Sequence, residues 1–383
     1  MPHLTESLTD MKYQFLSIFF VLTALSVSAF AQDRADRLDL TRDGGSTLIL
    51  LGDPQGYVKY DLNQPLFELC TAWIADNVRH LNIQAVLCTG DLVEQNDNNA
   101  LDRRMLNQTS RQMWESVSRA FGRLDGVVPS VISPGNHDYG FKHSEDIHTF
   151  FPDYFTAERQ GPVLLDHLVS ECPNREGRAS LENSATRYTL PGWDHALLVI
   201  TAEFTPSGKV LDWARGLCER YKDDYVVFLT HSYMKCAARC GNARVTGKEG
   251  YGLCQDDDNH FGQEIWDLLV NEVPNLRLVL CGHHAHSDFR KTGKDNYAEN
   301  MGWRIDRNKA GKEVGQMMFN VQTLGGGWEG NGGDGWVRIL EFLPDGKTLR
   351  FHTYSPLFGI SPLTRHLSRL TDPLSEFEFV IEE

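Results

Sequence analysis

LILLGDPQGY, Leu48 to Tyr57, is an apolar run that stops at a glycine and a carboxylate. A strand buried on both faces of a parallel sheet reads as such a near-continuous apolar run, and in open α/β sheets the residues just past its carboxyl end face the ligand crevice. Asp53 therefore stands where chemistry is usually done. Gly, Asp and Pro are also the commonest turn residues, so GDPQG taken alone fits an ordinary turn. Partners elsewhere in the chain decide between the two readings.

Outward from this strand the theme repeats. Residues 65–81 carry Leu66, Leu69, Trp73, Val78 and Leu81 at helical spacing. IQAVLCTGD then gives a second apolar run, ending at Gly90 and Asp91. Residues 100–124 are again helical in pattern, and VVPSVISPGNHD ends a third run at Gly135, Asn136, His137 and Asp138. Apolar strands separated by helical crossovers predict a parallel α/β sheet. In the second half, YVVFLTHSY ends at His231 and LRLVLCGHHAHS ends at His283, His284 and His286. Between them and the third run, ATRYTL and HALLVITAE read as strands behind an aromatic and polar insertion. GQMMFNVQTL, WVRILEFLP and TLRFHTYSP read as further strands, the last two joined by the hairpin turn PDGK. The Gly-rich stretch from Gly325 to Trp336, flanked by strands, reads as a loop near the site.

Composition limits the partners. Against 37 Lys and Arg stand 52 Asp and Glu, a net charge of −15 over 383 residues, with no Lys/Arg-rich run. A polyanion is drawn by basic patches, so nucleic acid is not an expected partner, and a metal cation suits the chain better. Residues 1–31 hold Lys12, the apolar stretch Phe15 to Val27 and a small-residue end at Ala29 and Ala31. That is the layout of a secretory signal peptide cleaved after Ala31. A start at Met11 makes the leader more conventional and puts Met1–Asp10 upstream of the true start. The apolar core is shorter than a spanning helix and no later segment approaches that length, so no stable membrane span is expected. The expected product is an exported protein, periplasmic or extracellular. Of eight cysteines, Cys88 and Cys281 lie in apolar runs and read as buried thiols. Cys172, Cys218, Cys236, Cys240 and Cys254 are the candidates for disulfides.

Five apolar runs thus end, in order, at Asp53, Asp91, Asn136 with His137, His231, and the cluster from His283 to His286. Each is ordinary alone. Together, on one edge of a sheet, two carboxylates, an amide oxygen and several imidazoles form a shell suited to borderline divalent metals such as zinc, manganese or iron. Calcium prefers more oxygens and no imidazole.

The series GDPQ, GDLVEQ, GNHD, THS and GHHAH resembles the five ordered blocks of the calcineurin-like metallophosphoesterase superfamily. The resemblance covers residues 46–356, leaving 357–383 as a C-terminal tail. It implies an α/β fold, a four-layer α-β-β-α sandwich of two mixed sheets, and a dinuclear phosphoric ester hydrolase acting on a small phosphorylated substrate, monoester or diester, by attack of a hydroxide held between two divalent ions; with the leader, an exported one is expected. Those ions are expected to be manganese, iron, magnesium or zinc. Carried over by position, Asp53 matches a ligand of the first metal, Asp91 the bridging carboxylate, and Asn136 and His231 ligands of the second. His137 matches the acid or transition-state stabiliser, with Asp138 to orient it. Two positions depart from the pattern. Gln55 stands where the family usually has His, as in the branch that reads D-P-Q; it offers an amide oxygen but no imidazole nitrogen, which implies a harder preference at the first metal. In GHHAH the second family His falls on Ala285. Either His283 keeps its role while His286 reaches the first metal, or the pair shifts to His284 and His286; the strand-Gly-His junction favours the former. Trp328 and Trp336 either stack on an aromatic leaving group or cap the core. The rival reading is a binding module that keeps the sandwich after losing one metal, with Gln55 and Ala285 as marks of decay.

Overall fold

The computed structural model describes Leu38 and residues 44–101, 106–247, 253, 258–286 and 297–382. The chain divides into two compact units, Met1–Asp39 and Leu40–Glu383, and every described strand and helix belongs to the second. The leader read at residues 1–31 and Cys254 lie outside the described residues.

Three parallel strands open the fold: β1 (Ser46–Leu51), β2 (Ile83–Cys88) and β3 (Ser130–Ile132). Seven more make a second sheet: β4 (Leu168–Glu171), β5 (Ser184–Tyr188), β6 (Leu197–Thr201), β7 (Tyr225–Leu229), β8 (Leu276–Cys281), β9 (Met301–Arg307) and β10 (Glu313–Phe319), in the order β4-β5-β6-β7-β8-β10-β9. The chain then returns to the first sheet with β11 (Val337–Phe342) and β12 (Thr348–Tyr354). It closes with β13 (Arg369–Leu370) and β14 (Phe377–Val380), both paired antiparallel with β12. The first sheet runs β13-β12-β11-β1-β2-β3, with β11 antiparallel to β1. The segment expected to be a tail therefore supplies two strands. The five polar strand ends, expected on one edge of one sheet, come from two: Asp53, Asp91 and Asn136 follow β1, β2 and β3, while His231 and His283 follow β7 and β8. Strand composition alone does not say which sheet a strand joins, because both sheets here are buried and equally apolar.

Alternation along the strands builds the layers. Leu48 and Leu50, Leu197 and Val199, Val227 and Leu229, Leu278 and Leu280, and Met317 and Phe319 all meet in one cluster between the sheets. The intervening Leu198, Ile200, Val226, Phe228 and Val279 join a second cluster on the far side of the second sheet. There they meet Val210, Leu211, Ala214 and Leu217 of the helix at Gly208–Arg220. Burying each such side chain is worth roughly 1.5–3 kcal/mol, so the two clusters dominate stability.

Outside the first sheet, α1 (Gln64–Asn77) and α2 (Ser110–Phe121) pack on each other, with the Phe67 and Phe121 rings 5.6 Å apart. The helical spacing expected for α1 is present, but the buried stripe is Phe67, Cys70, Thr71 and Ile74, not Leu66, Leu69 and Trp73. Both sets repeat at i, i+3, i+4, so local periodicity cannot choose between them; Trp73 instead stacks on Tyr354, with ring centroids 4.9 Å apart. In α2 a capping box sets the start: Gln112 N–H donates to Thr109 Oγ1 (3.3 Å) and Thr109 N–H to Gln112 Oε1 (2.8 Å).

The seven described cysteines are free thiols, against the expected disulfides. Cys172 and Cys218 sit inside the apolar cluster behind the second sheet. Burial pushes the Cys218 thiol up to about 12, which denies it the thiolate that disulfide exchange requires. Among the described residues no helix is long and apolar enough to cross a membrane.

Candidate metal centre

Residues that follow β1, β2, β3, β8 and β10 line one cavity of about 460 Å³, and His231, after β7, is buried against its lining. His231 anchors it. Its Nδ1 lies 2.6 Å from the Thr89 carbonyl, which can only accept, so Nδ1 carries the proton and Nε2 faces inward. Around Nε2 stand Asn136 Oδ1 at 3.2 Å, His283 Nδ1 at 3.1 Å and Asp91 Oδ2 at 3.3 Å. Four atoms with lone pairs converge on one point, an arrangement that repels itself unless a proton or cation sits among them. Asp91, His231 and His283 form a group able to hold a metal ion, their ligand atoms all within 4.8 Å of one another.

The backbone is bent to achieve this. Asp91 and His283 adopt φ of 52° and 67°, a left-handed conformation that non-glycine residues rarely take and that marks functional sites. The glycines of GNHD and GHHAH are there for room: a Cβ on Gly135 would strike Asp91 and His231, and one on Gly282 would strike Asp53 and Thr89.

Asp53 is buried and held by three donors: Thr89 Oγ1 (2.7 Å), His283 N–H (3.0 Å) and Asn320 Nδ2 (2.5 Å). Burial, opposed by His231 and helped by the Asp91 carboxylate, pushes its pKa up to about 7. Burial also disfavours the Asp91 carboxylate, but His231 and His137 outweigh it and hold Asp91 below the usual carboxylate range. Burial likewise works against the His231 cation, yet Asp91 and Asp53 raise it to about 9. Two buried carboxylates thus draw a proton onto the imidazole, the response expected of a centre built around positive charge.

Gln55, in the short helix Gln55–Val58, is buried and lines the cavity. Its Nε2 donates to Gln322 Oε1 at 2.8 Å, while its own Oε1 is buried with no hydrogen-bond partner. An orphaned buried amide oxygen, on a side chain that shares the cavity with Asp91, fits a hard divalent cation. The residues present therefore fit a divalent metal at the Asp91, His231 and His283 group, with Asn136 beside it.

His137 lines the cavity with its N–H on Asp91 Oδ1 (2.9 Å) and its Nδ1 2.6 Å from the Glu94 carbonyl. Asp138 was expected to orient the His137 ring. It acts on backbone instead, accepting from the N–H groups of Leu92 (2.8 Å), Val93 (3.2 Å) and Gly135 (2.7 Å), which ties the second and third strand ends together. His284 and Ala285 line the cavity, whereas His286 stands apart from the metal group, half-buried near Arg239 and Glu299. Trp328, 43% exposed, lines the mouth, and Trp336 is buried in the core against Phe358.

Sequence reasoning missed Thr89, Asn320 and Gln322. The last two hide in GQMMFNVQTL, read as one strand; β10 ends at Phe319, and NVQ is a sixth polar strand end. The polarity of Asn320 and Gln322 after the apolar Met317, Met318 and Phe319 was the available signal.

The family model described as calcineurin-like phosphoesterase matches residues 46–287. The chain belongs to the calcineurin-like phosphoesterase family. The uncharacterized protein YvnB of Bacillus subtilis (strain 168) is similar to it at 26% identity over 315 residues, 81% of this chain and 20% of that protein. The chain thus spans about a fifth of the length of this relative. Among solved structures, GAP50, the anchor in the inner membrane complex of Plasmodium, superposes with a TM-score of 0.43 at 12% identity, covering 89% of this chain and 90% of that one. A 5'-nucleotidase precursor from Thermus thermophilus gives 0.39 at 14% identity, covering 81% and 54%. As the resemblance drawn from sequence implies, this calcineurin-like phosphoesterase has two mixed sheets, and the residues of the site follow strands of both.

Proposed function

We propose that this chain is a metal-dependent phosphoesterase that hydrolyses a phosphomonoester or phosphodiester with two divalent cations at the Asp91-centred site, and that it works outside the cytoplasm, as the leader pattern of residues 1–31 suggests. The observation that carries the reading is the convergence of Asp91, Asn136 and His283 on His231 Nε2. Bound divalent ions polarise phosphoryl oxygens and acidify water. The residues do the rest. Asp53 and Asp91 hold the positive charge in place, and Thr89 fixes the tautomer of His231. Because Nδ1 of His137 donates to the Glu94 carbonyl, Nε2 is the nitrogen that exchanges a proton with substrate. Burial opposes the His137 cation, but in the metal-free protein Asp91 and Glu94 raise its pKa above the ordinary imidazole value.

Asp91→Asn tests this. Asn tolerates the left-handed φ of 52° at this position, so the fold should survive while the shared negative charge is lost. Metal analysis after reconstitution should find two equivalents in the wild type and fewer in the variant, with hydrolysis of p-nitrophenyl phosphate and bis(p-nitrophenyl) phosphate lost. Absence of metal from the reconstituted wild type, or full activity in the variant, would refute the proposal.

A further inference from the structure

We infer that Gln322 is a positioning residue that decides which metal the first site accepts, by locking the Gln55 amide with its oxygen toward the cavity. The inference rests on the two-metal reading above.

An amide side chain presents either an acceptor or a donor, and only the oxygen can hold a cation. What turns Gln55 one way is Gln322 Oε1, which takes the Gln55 Nε2–H at 2.8 Å in a buried contact spanning 267 residues of sequence. With Nε2 engaged, Oε1 is left buried and unpartnered, on a side chain that lines the same cavity as Gln322. The backbone of Gln322 is itself held. Its N–H donates to Asn320 Oδ1 at 3.2 Å, and Asn320 Nδ2 donates to Asp53 Oδ2 and, at 3.2 Å, to the His283 carbonyl. The loop after β10 therefore ties together Asp53, Gln55 and His283 through Asn320 and Gln322. The donors it leaves for the first metal, Asp53, Asp91 and the Gln55 oxygen, are all oxygen, a set that suits manganese or magnesium over zinc. Were the Gln55 amide free to turn, Nε2 could take the place of the oxygen, and an N–H repels a cation.

Calorimetric titration of the metal-free protein with manganese and with zinc reads this out without any activity measurement. Gln55→Ala identifies the first site as the one it weakens. Gln322→Leu, which removes the acceptor, should weaken manganese at that site by about 10–100-fold, the usual effect of removing a ligand's hydrogen-bond partner, and leave the other site within about threefold. Gln322→Glu keeps an acceptor and should keep wild-type manganese affinity or better. In a Gln55→Ala background, Gln322→Leu should change nothing further, since the two act through one amide. Thermal unfolding of each metal-free variant checks the fold, and Gln322→Ala carries the same test if leucine does not pack. Two sites of unchanged affinity in Gln322→Leu would overturn the clamp and leave the proposed function standing. An equal loss in the Gln55→Ala background, or a loss in Gln322→Glu as large as in Gln322→Leu, would also overturn it, because the role would then be general to the loop. A wild type that binds neither metal would overturn the proposed function, and the clamp with it.

Discussion

Glu182 is fully buried, yet burial is what ionised carboxylates resist. Its Oε1 accepts from Asn174 Nδ2 at 2.6 Å and Ser180 Oγ at 3.0 Å, and its Oε2 accepts from the Tyr139 hydroxyl. Tyr139 directly follows the GNHD turn, so this carboxyl pins the insertion at 172–183 to the backbone that carries His137. Burial raises its pKa from an ordinary 4.5 to about 7; the three hydrogen bonds oppose the rise, Glu203 assists it, and Arg178 also faces the group. A carboxyl whose folded pKa is raised binds more protons folded than unfolded between pH 4.5 and 7, so stability falls as pH rises through that window. Below 4.5 both states are protonated and above 7 both are ionised, and the penalty is constant. At about 1.4 kcal/mol per unit, the window limits the effect to about 3 kcal/mol. Glu182→Gln removes the titration while keeping the shape: its oxygen accepts from Asn174 and Ser180, and its NH2 donates to the Tyr139 oxygen. Urea unfolding of both metal-free proteins at intervals from pH 4.5 to 7.5 gives the difference, in which titrations common to both cancel. The wild type should lose about 2–3 kcal/mol relative to the variant across the window. Parallel stability curves, or a wild type that gains on the variant as pH rises, would refute the reasoning, the second by showing that the three donors outweigh burial.

Replacing His137 with Ala should leave metal content intact and lower turnover by about two to four orders of magnitude, as loss of an acid-base group does; loss of metal instead would make His137 a ligand. Gln55→His should shift the first site toward zinc by about tenfold or more relative to manganese, read by paired titrations, because an imidazole nitrogen is the softer donor. Trp328→Ala should leave the unfolding temperature unchanged, since the side chain is 43% exposed, and lower kcat/KM for aryl phosphoesters. A two- to tenfold loss (about 0.5–1.5 kcal/mol of ring stacking) confined to aryl substrates is the expected result, and an equal loss on alkyl substrates would argue against stacking.

The strand ends were legible in the sequence because what marks them is local. An apolar run must stop where the chain leaves the sheet, and the residue after it is polar when it faces a cavity, as at Asp53, Asp91, Asn136, His231 and His283. The order of the five blocks then named the family, and the family model over residues 46–287 agrees. What escaped was whatever depends on a distant partner. The buried stripe of α1 was misread because two stripes share one period, and only the packing of Phe67 on Phe121 selects between them. The cysteines were misassigned because spacing in sequence does not reveal that Cys172 and Cys218 end in an apolar core. The neighbouring His137 ring is the expected partner of Asp138, but the Asp138 side chain accepts from backbone N–H groups 46, 45 and 3 residues away, and the two distant ones are beyond local reading.

Sequence alone therefore determined the kinds of donor and the strands that deliver them, since both are written in a few consecutive residues. Tertiary structure decided how those donors are aimed. Thr89 chooses which nitrogen of His231 faces inward, Asn320 holds the Asp53 carboxylate, and Gln322 turns the Gln55 amide, the last two across 267 residues of chain. A hydrogen bond needs its partners within about 3 Å and in line, and no spacing in a linear sequence encodes that for segments brought together only when two sheets close on each other.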